Sequence, residues 1–292
     1  MEGQQNSPQN VYYFYGQSPN DTNQLSSNTP ICRYMNFDAF LQILNGKFYV
    51  PRKSKLLDLR ENGEIPLKDR FQSHPANVKT SDEELQKSFD ATNAFIENLK
   101  KSKSLLTSCW MNSDQENYLM WKAYSDRIGI RIQTTIDKLM DALSLPDHIA
   151  ICARMRYKAI DTKENLISSL LKKESYYQSE NEIRFYFIPK KYFPNDISSK
   201  SDTELPAIIE KAFCDAIETE GKDNAESHTF VIDPKKLIEN ITISPFIFDN
   251  TFRHFFDILV KQFPEIFPNA NCIRGDIWGD GKIRKSQILL NQ

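Results

Sequence analysis

Apolar and polar positions along this chain alternate between two periods. From Glu182 to Ile188 polarity alternates over Glu-Ile-Arg-Phe-Tyr-Phe-Ile and Pro189 follows, which predicts a strand with one polar and one apolar face. Shorter apolar runs at 11–15, 31–35, 48–50, 105–110, 128–133, 149–157, 230–232, 241–243 and 283–290 read as further strands. Helical spacing appears between them. Phe37, Phe40, Leu41 and Leu44 make one stripe, with Asn36 placed to cap its start and Gly46 to close its end. Ser81 with Glu84 and Ser113 with Glu116 have capping-box spacing. The first precedes Leu85, Phe89, Ile96 and Leu99, and the second precedes Tyr118, Trp121 and Tyr124. Thr134 or Thr135 starts another helix, Asp161 caps one, and helices are predicted over 203–220 and 250–263.

Strands and helices mix without a regular βαβ rhythm. The expected fold class is α+β, a single core with a twisted, largely antiparallel sheet flanked by helices. Residues 1–30 form a polar N-terminal segment, partly disordered, and 31–292 a single domain. Residues 53–80 are polar and irregular, a long loop of the kind that serves as a lid or carries function.

Composition narrows the function classes. Hydrophobic residues at 40% and charged residues at 26% make an ordinary globular balance, and a net charge of −2 gives no strong nucleic-acid-binding signature. No apolar run approaches the ~20 residues of a membrane span, and no signal-peptide pattern opens the chain. The five Cys are scattered, which fits a reduced, cytoplasmic protein. There is no phosphate-binding P-loop, no dinucleotide glycine fingerprint and no nucleophile elbow, and the four His are far apart, so no metal site is expected.

Three stretches carry candidate chemistry. Glu180 and Glu182, read as positions i and i+2 of a strand, would share a face roughly 6–7 Å apart. Paired carboxylates can hold sugar hydroxyls, stabilise a positive transition state or act as acid and base. The plainer alternative is a solvated strand edge with Arg184 as partner. Ser108 lies in the apolar run 105–110, beside Thr107, Cys109 and Trp110, where its hydroxyl needs a partner. Trp110 could stack on a planar ligand or fill core, and Cys109 reads as a buried apolar residue. Arg33 on an apolar strand needs an anion, either phosphate or a structural carboxylate. Tyr118, Trp121 and Tyr124 read as core, or as an aromatic wall beside Trp110.

Several of these stretches together resemble a bacterial family known only as domain of unknown function 2971. They are Tyr34-Met35 with Phe37 and Phe40-Leu41, Thr107 to Trp110, Met120 to Ser125 with Gly129-Ile130, Glu180 to Arg184, Ile232-Asp233, Ile243-Ser244-Pro245 and Arg284-Lys285-Ser286. They span most of 31–290, and the family name carries no activity. A looser resemblance is to ADP-ribosyltransferases of the Arg-Ser-Glu type, with Arg33, Ser108 and Glu180-x-Glu182 in that order. Their usual Ser-Thr-Ser run is here Thr107-Ser108-Cys109. That resemblance implies NAD as substrate: Arg33 on its phosphates, Ser108 orienting the Glu and the ribose, Glu182 at the oxocarbenium-like centre, Glu180 on the acceptor, and Tyr34 or Trp110 flanking nicotinamide. It implies an NAD-consuming transferase or glycohydrolase, a toxin or phage-defence effector whose acceptor macromolecule is unknown. The alternatives are a nucleotide-binding or sensor module without turnover, and a metal-dependent hydrolase or nuclease using Glu180 and Glu182.

Overall fold

The computed structural model describes residues 12–15, 24–55, 102–125, 129–157, 171–173, 175–220, 227–246 and 261–267. It also describes helical positions at 86, 90, 93, 97, 100, 167, 170, 254 and 257–259, and the strands at 277–278 and 283–285. The strands are β1 Tyr12–Tyr15, β2 Pro30–Asn36, β3 Lys47–Pro51, β4 Leu106–Met111, β5 Gly129–Thr135, β6 Leu143–Ser144 and β7 His148–Arg154. They continue as β8 Arg156–Tyr157, β9 Lys172–Lys173, β10 Glu182–Pro189, β11 Ser227–Ile232, β12 Asn240–Ile243, β13 Ile277–Trp278 and β14 Ile283–Lys285. Among the continuously described residues the α-helices are α1 Phe37–Leu44, α2 Tyr118–Tyr124, α3 Ile136–Ala142, α4 Leu205–Glu220 and α5 Pro234–Leu237.

Among the described residues, nine strands form the main sheet in the order β1-β7-β10-β4-β2-β5-β12-β14-β13. Its pairs are antiparallel except β1 with β7 and β12 with β14. A small sheet, β3-β11-β6, packs beside it, and β8 pairs with β9. The fold is α+β, with a large, mostly antiparallel sheet flanked by helices.

The period-two pattern of β10 does what the sequence implies, except that both faces are buried. Ile183, Phe185 and Phe187 enter one core with Ala150 and Cys152 of β7, while Tyr186 and Ile188 enter a second with Ile149, Ile151 and Ala153. The first core is closed by α1, α3, α5 and the small sheet through Phe40, Leu139, Leu237, Phe48 and Phe230. The second is closed by α4 through Ile209, Phe213 and Ile217. A third, smaller cluster sets Trp121 of α2 against Cys32, Tyr34 and Met111. Helix α2 thus covers the β2 part of the sheet face whose β7–β10 part α4 covers.

Several local signals hold and one is displaced. Asn36 caps α1 by accepting from the Ala39 N–H at 2.9 Å, and Gly46 follows its C-cap at φ +76°, the left-handed conformation glycine supplies. Thr135 caps α3. Helix α2 is not started by the Ser113–Glu116 box. Asn117 accepts from the Leu119 and Met120 N–H groups, Ser113 accepts from Gln115 N–H in its own turn, and the Glu116 carboxylate takes the Trp121 indole N–H at 3.1 Å. The strand read over 149–157 is broken at Met155 into β7 and β8. The Ser81–Glu84 box, Asp161 and most of the 53–80 loop lie outside the described residues.

Phe185 is fully buried on β10, between β4 and β7. Phe185→Ala is expected to cost about 3–5 kcal/mol, read as a lower denaturant midpoint, whereas Tyr49→Ser, on an exposed side chain, should stay within about 0.5 kcal/mol.

Candidate functional site

The middle of the main sheet is open. Strands β2 and β4 are neighbours but share a single pairing, Cys32 with Met111, whereas β2 pairs with β5 over its full length from Pro30 to Asn36. A cavity of about 600 Å³ is lined by Cys32, Arg33 and Tyr34 of β2 and by Cys109, Trp110 and Met111 of β4. Its lining brings Arg33 together with Lys173, Glu180, Glu182, Arg184 and Cys109, and adds Tyr34, Trp110, Tyr124 and Tyr177 as aromatic wall.

Strand register decides which of these side chains meet. Ser108 pairs with Phe185, and Glu182 with Met111, so Ser108 and Glu182 point to opposite faces of the sheet. Ser108 instead accepts hydrogen bonds from Arg33 Nη1 at 3.2 Å and from the Trp110 indole at 3.0 Å. Arg33 lies beside the Phe48 and Trp110 rings, its guanidinium carbon 5.6 and 5.9 Å from their centroids. No carboxylate pairs with Arg33 among the described residues, and a guanidinium keeps its charge although burial lowers its pKa. The open joint between β2 and β4 lets Arg33 and Glu182 border one space from opposite faces. It does not bring Ser108 to Glu182. Thr107 is buried with its hydroxyl on the Leu105 carbonyl, outside the cavity lining.

Glu182 is the centre of a buried ionic cluster. Arg184, two residues along β10, donates to it through Nε at 2.5 Å and through Nη2 at 3.2 Å. Lys173 of β9 bridges both carboxylates, 3.1 Å from Glu182 and 2.6 Å from Glu180, with its ammonium 4.3 Å from the Tyr177 ring centroid. The Tyr124 phenol donates to Glu180 at 3.0 Å. Burial alone would push the Glu182 pKa up, but Arg184 and Lys173 outweigh it and hold the carboxyl below its ordinary range, so it is ionised. The Cys109 thiol also hydrogen-bonds this carboxylate. Cys109 is therefore not an inert apolar residue. It contacts the Glu that the Arg-Ser-Glu resemblance would give to Ser108.

The two carboxylates do not converge by strand alternation. Glu180 ends a 3₁₀ turn, Ser175–Glu180, and Asn181 adopts φ +40°, a left-handed conformation that Asn tolerates better than most residues. Asn181 is fixed there by bonds to the Asn112 carbonyl at 2.6 Å and from Arg154 at 3.3 Å. Lys173 then draws Glu180 and Glu182 together. Lys173 and Tyr157, which accepts the Glu182 N–H at 2.5 Å, are site residues that the sequence reading missed. Both come from two-residue strands too short to leave a periodic signal.

Tyr34 is held at both ends. Its hydroxyl accepts the Asn117 N–H at 2.8 Å, and its ring stands edge-on to Trp121 with centroids 4.8 Å apart. Trp110 is both core and cavity wall, only 2% exposed and stacked near Phe48 at 6.5 Å. The Tyr118, Trp121 and Tyr124 stripe divides: Trp121 is buried, Tyr124 reaches the cavity, and Tyr118 is exposed.

The lining carries Arg33, Lys55, Lys173 and Arg184 against Glu180 and Glu182. The carboxylates sit with Lys173 and Arg184, while Arg33 has no carboxylate partner among the described residues. Comparison with family models, with curated proteins and with solved structures finds no match to this chain. Among the described residues no helix is long and apolar enough to cross a membrane.

Breaking one partner of the cluster strands a buried charge. Lys173→Met should cost about 3–5 kcal/mol of unfolding free energy. The pH dependence follows from the sign of the Glu182 shift. Its folded pKa lies below the ordinary 4.5, so its contribution is complete above about pH 4.5 and is lost as pH falls through the folded value. Denaturant midpoints between about pH 5 and about pH 3 should therefore fall more steeply in the wild type than in Glu182→Gln.

Proposed function

We propose that the cavity takes a nucleotide of the NAD class and cleaves its N-glycosidic bond, as an ADP-ribosyltransferase or NAD glycohydrolase. The observation that carries this reading is one cavity bordered by both Arg33, with no carboxylate partner among the described residues, and the ionised Glu182. A diphosphate supplies paired anionic oxygens that a planar guanidinium binds bidentately. With the phosphates at Arg33, the glycosidic carbon lies toward the carboxylates. The C1′–N bond breaks, and its electron pair leaves with nicotinamide. Glu182 stabilises the positive charge that develops at C1′. An acceptor atom, from water or from a macromolecule, then bonds to C1′ and releases its proton. Cys109 orients Glu182, Tyr34 or Trp110 flanks the departing ring, and Glu180 faces the acceptor. Consumption of NAD or modification of a cellular target would suit a toxin or phage-defence effector.

A second reading is a nucleotide-binding or sensor module without turnover. It is favoured by one specific observation: Lys173 and Arg184 already occupy the oxygens of Glu182 that would face a reacting carbon. The same cations stand against a metal-dependent hydrolase, because a divalent ion on Glu180 and Glu182 would have to displace Lys173.

Nicotinamide release from NAD by the purified protein separates the first two readings. Wild-type turnover that drops at least about a hundredfold in Glu182→Gln, with the variant folded by circular dichroism, is the expected result. A raised melting temperature with NAD, and no nicotinamide over hours, would favour the binding module instead.

A further inference from the structure

Arg33 borders more than the large cavity. On its other flank lies a second cavity of about 250 Å³, lined among others by Asn36, Asp38, Gln42, Phe48 and Tyr49. Arg33 belongs to the lining of both, and Phe48, whose ring lies against its guanidinium, belongs to the smaller. Arg33 is thus shared by two spaces. Ser108 takes Nη1, and the five N–H groups of a guanidinium leave donors for an anion at their junction.

We infer that the two cavities are lobes of one ligand site joined at Arg33, and that the smaller lobe takes the second nucleoside of a dinucleoside diphosphate. This rests on the nucleotide reading proposed above. The chemistry of the small lobe differs from that of the large one. Apart from Arg33, its one charged lining group is Asp38, an exposed carboxylate in the first turn of α1 that can accept from two ribose hydroxyls. Tyr49 leaves 45% of its surface exposed on β3, an apolar ring free to stack on a base. Gln42 offers an amide, a donor and an acceptor together, to a base edge. An anion is favoured at Arg33 and a neutral, hydroxyl-rich ring system beyond it, which is the order of groups along ADP-ribose: reactive ribose, diphosphate, adenosine.

The test uses the full chain and two probes by calorimetric titration: ADP-ribose, which reaches both lobes, and nicotinamide mononucleotide, which lacks the second nucleoside. Tyr49→Ser and Asp38→Asn alter exposed side chains outside the large cavity, and unchanged melting temperatures check that each folds. The expected result is that each weakens ADP-ribose binding by about tenfold and leaves the mononucleotide within about twofold of wild type. If wild type binds ADP-ribose and both variants bind it equally well, the second lobe is wrong while the nucleotide reading stands. Equal weakening of both probes also overturns it, since the residues would then act on the Arg33 end. Wild type that binds neither probe removes the nucleotide reading itself, and the second lobe with it.

Discussion

One backbone pairing, Cys32 with Met111, holds β2 and β4 together, where every other neighbouring pair from β1 through β12 in this sheet shares four or more and even the short edge pairs with β14 share three and two. A central strand pair this poorly joined leaves peptide groups and side chains without the neighbours a sheet normally provides, and polar groups in that position need other partners. Arg33, Ser108 and the Trp110 indole meet part of that need on one face, while Tyr34 and the Asn117 N–H do so on the other. Long ladders on either side, β7-β10-β4 and β2-β5-β12, keep the joint from collapsing. Gly129 adds to this rigidity: a Cβ there would come within 2.1 Å of the Ser125 side chain, so the end of α2 and the start of β5 pack closer than any other residue allows.

Electrostatics then divides the opening. Four ionic side chains, Glu180, Glu182, Lys173 and Arg184, satisfy one another in a setting almost free of solvent. Such an arrangement is seldom the cheapest way to fill a core, since apolar residues of similar volume stabilise as well or better. Its place beside a 600 Å³ space is the feature on which the proposed role of Glu182 rests. The cost of keeping a carboxylate ionised there is met by two cations, and those same cations set how much of its charge a ligand can feel.

The parts of this fold that local pattern controls could be read from the sequence. The β10 alternation, the Asn36 and Thr135 caps and the Arg184–Glu182 pairing all depend on residues within four positions of one another. What could not be read depends on how distant strands line up. Ser108 and Glu182 stand in the expected chain order, yet the pairing of Ser108 with Phe185 puts them on opposite faces. Shifting that register by one residue would reverse the outcome, and nothing within either strand sets it. Lys173 was equally hidden, because its place beside Glu180 and Glu182 comes from the β8–β9 pair and the turn after it, not from any periodic run. Asn117 took the helix cap from Ser113 since its side chain is the one that reaches the first free N–H groups of α2.

Strand β1 has a consequence of another kind. Its four residues pair in parallel with Ala150 to Ala153, far along the chain, and Tyr12 to Tyr15 supply the outermost layer of the sheet on that side. Beneath them lies Ile149-Ala-Ile-Cys-Ala153, five uncharged residues in extended form. With β1 peeled away, that segment would present an open row of peptide donors and acceptors to any other chain. Tyr12–Tyr15 therefore cover an edge of β7 that would otherwise be open to pairing with another chain. The cleft lies on the far side of β7, so β1 guards an edge of the sheet and not the cleft itself.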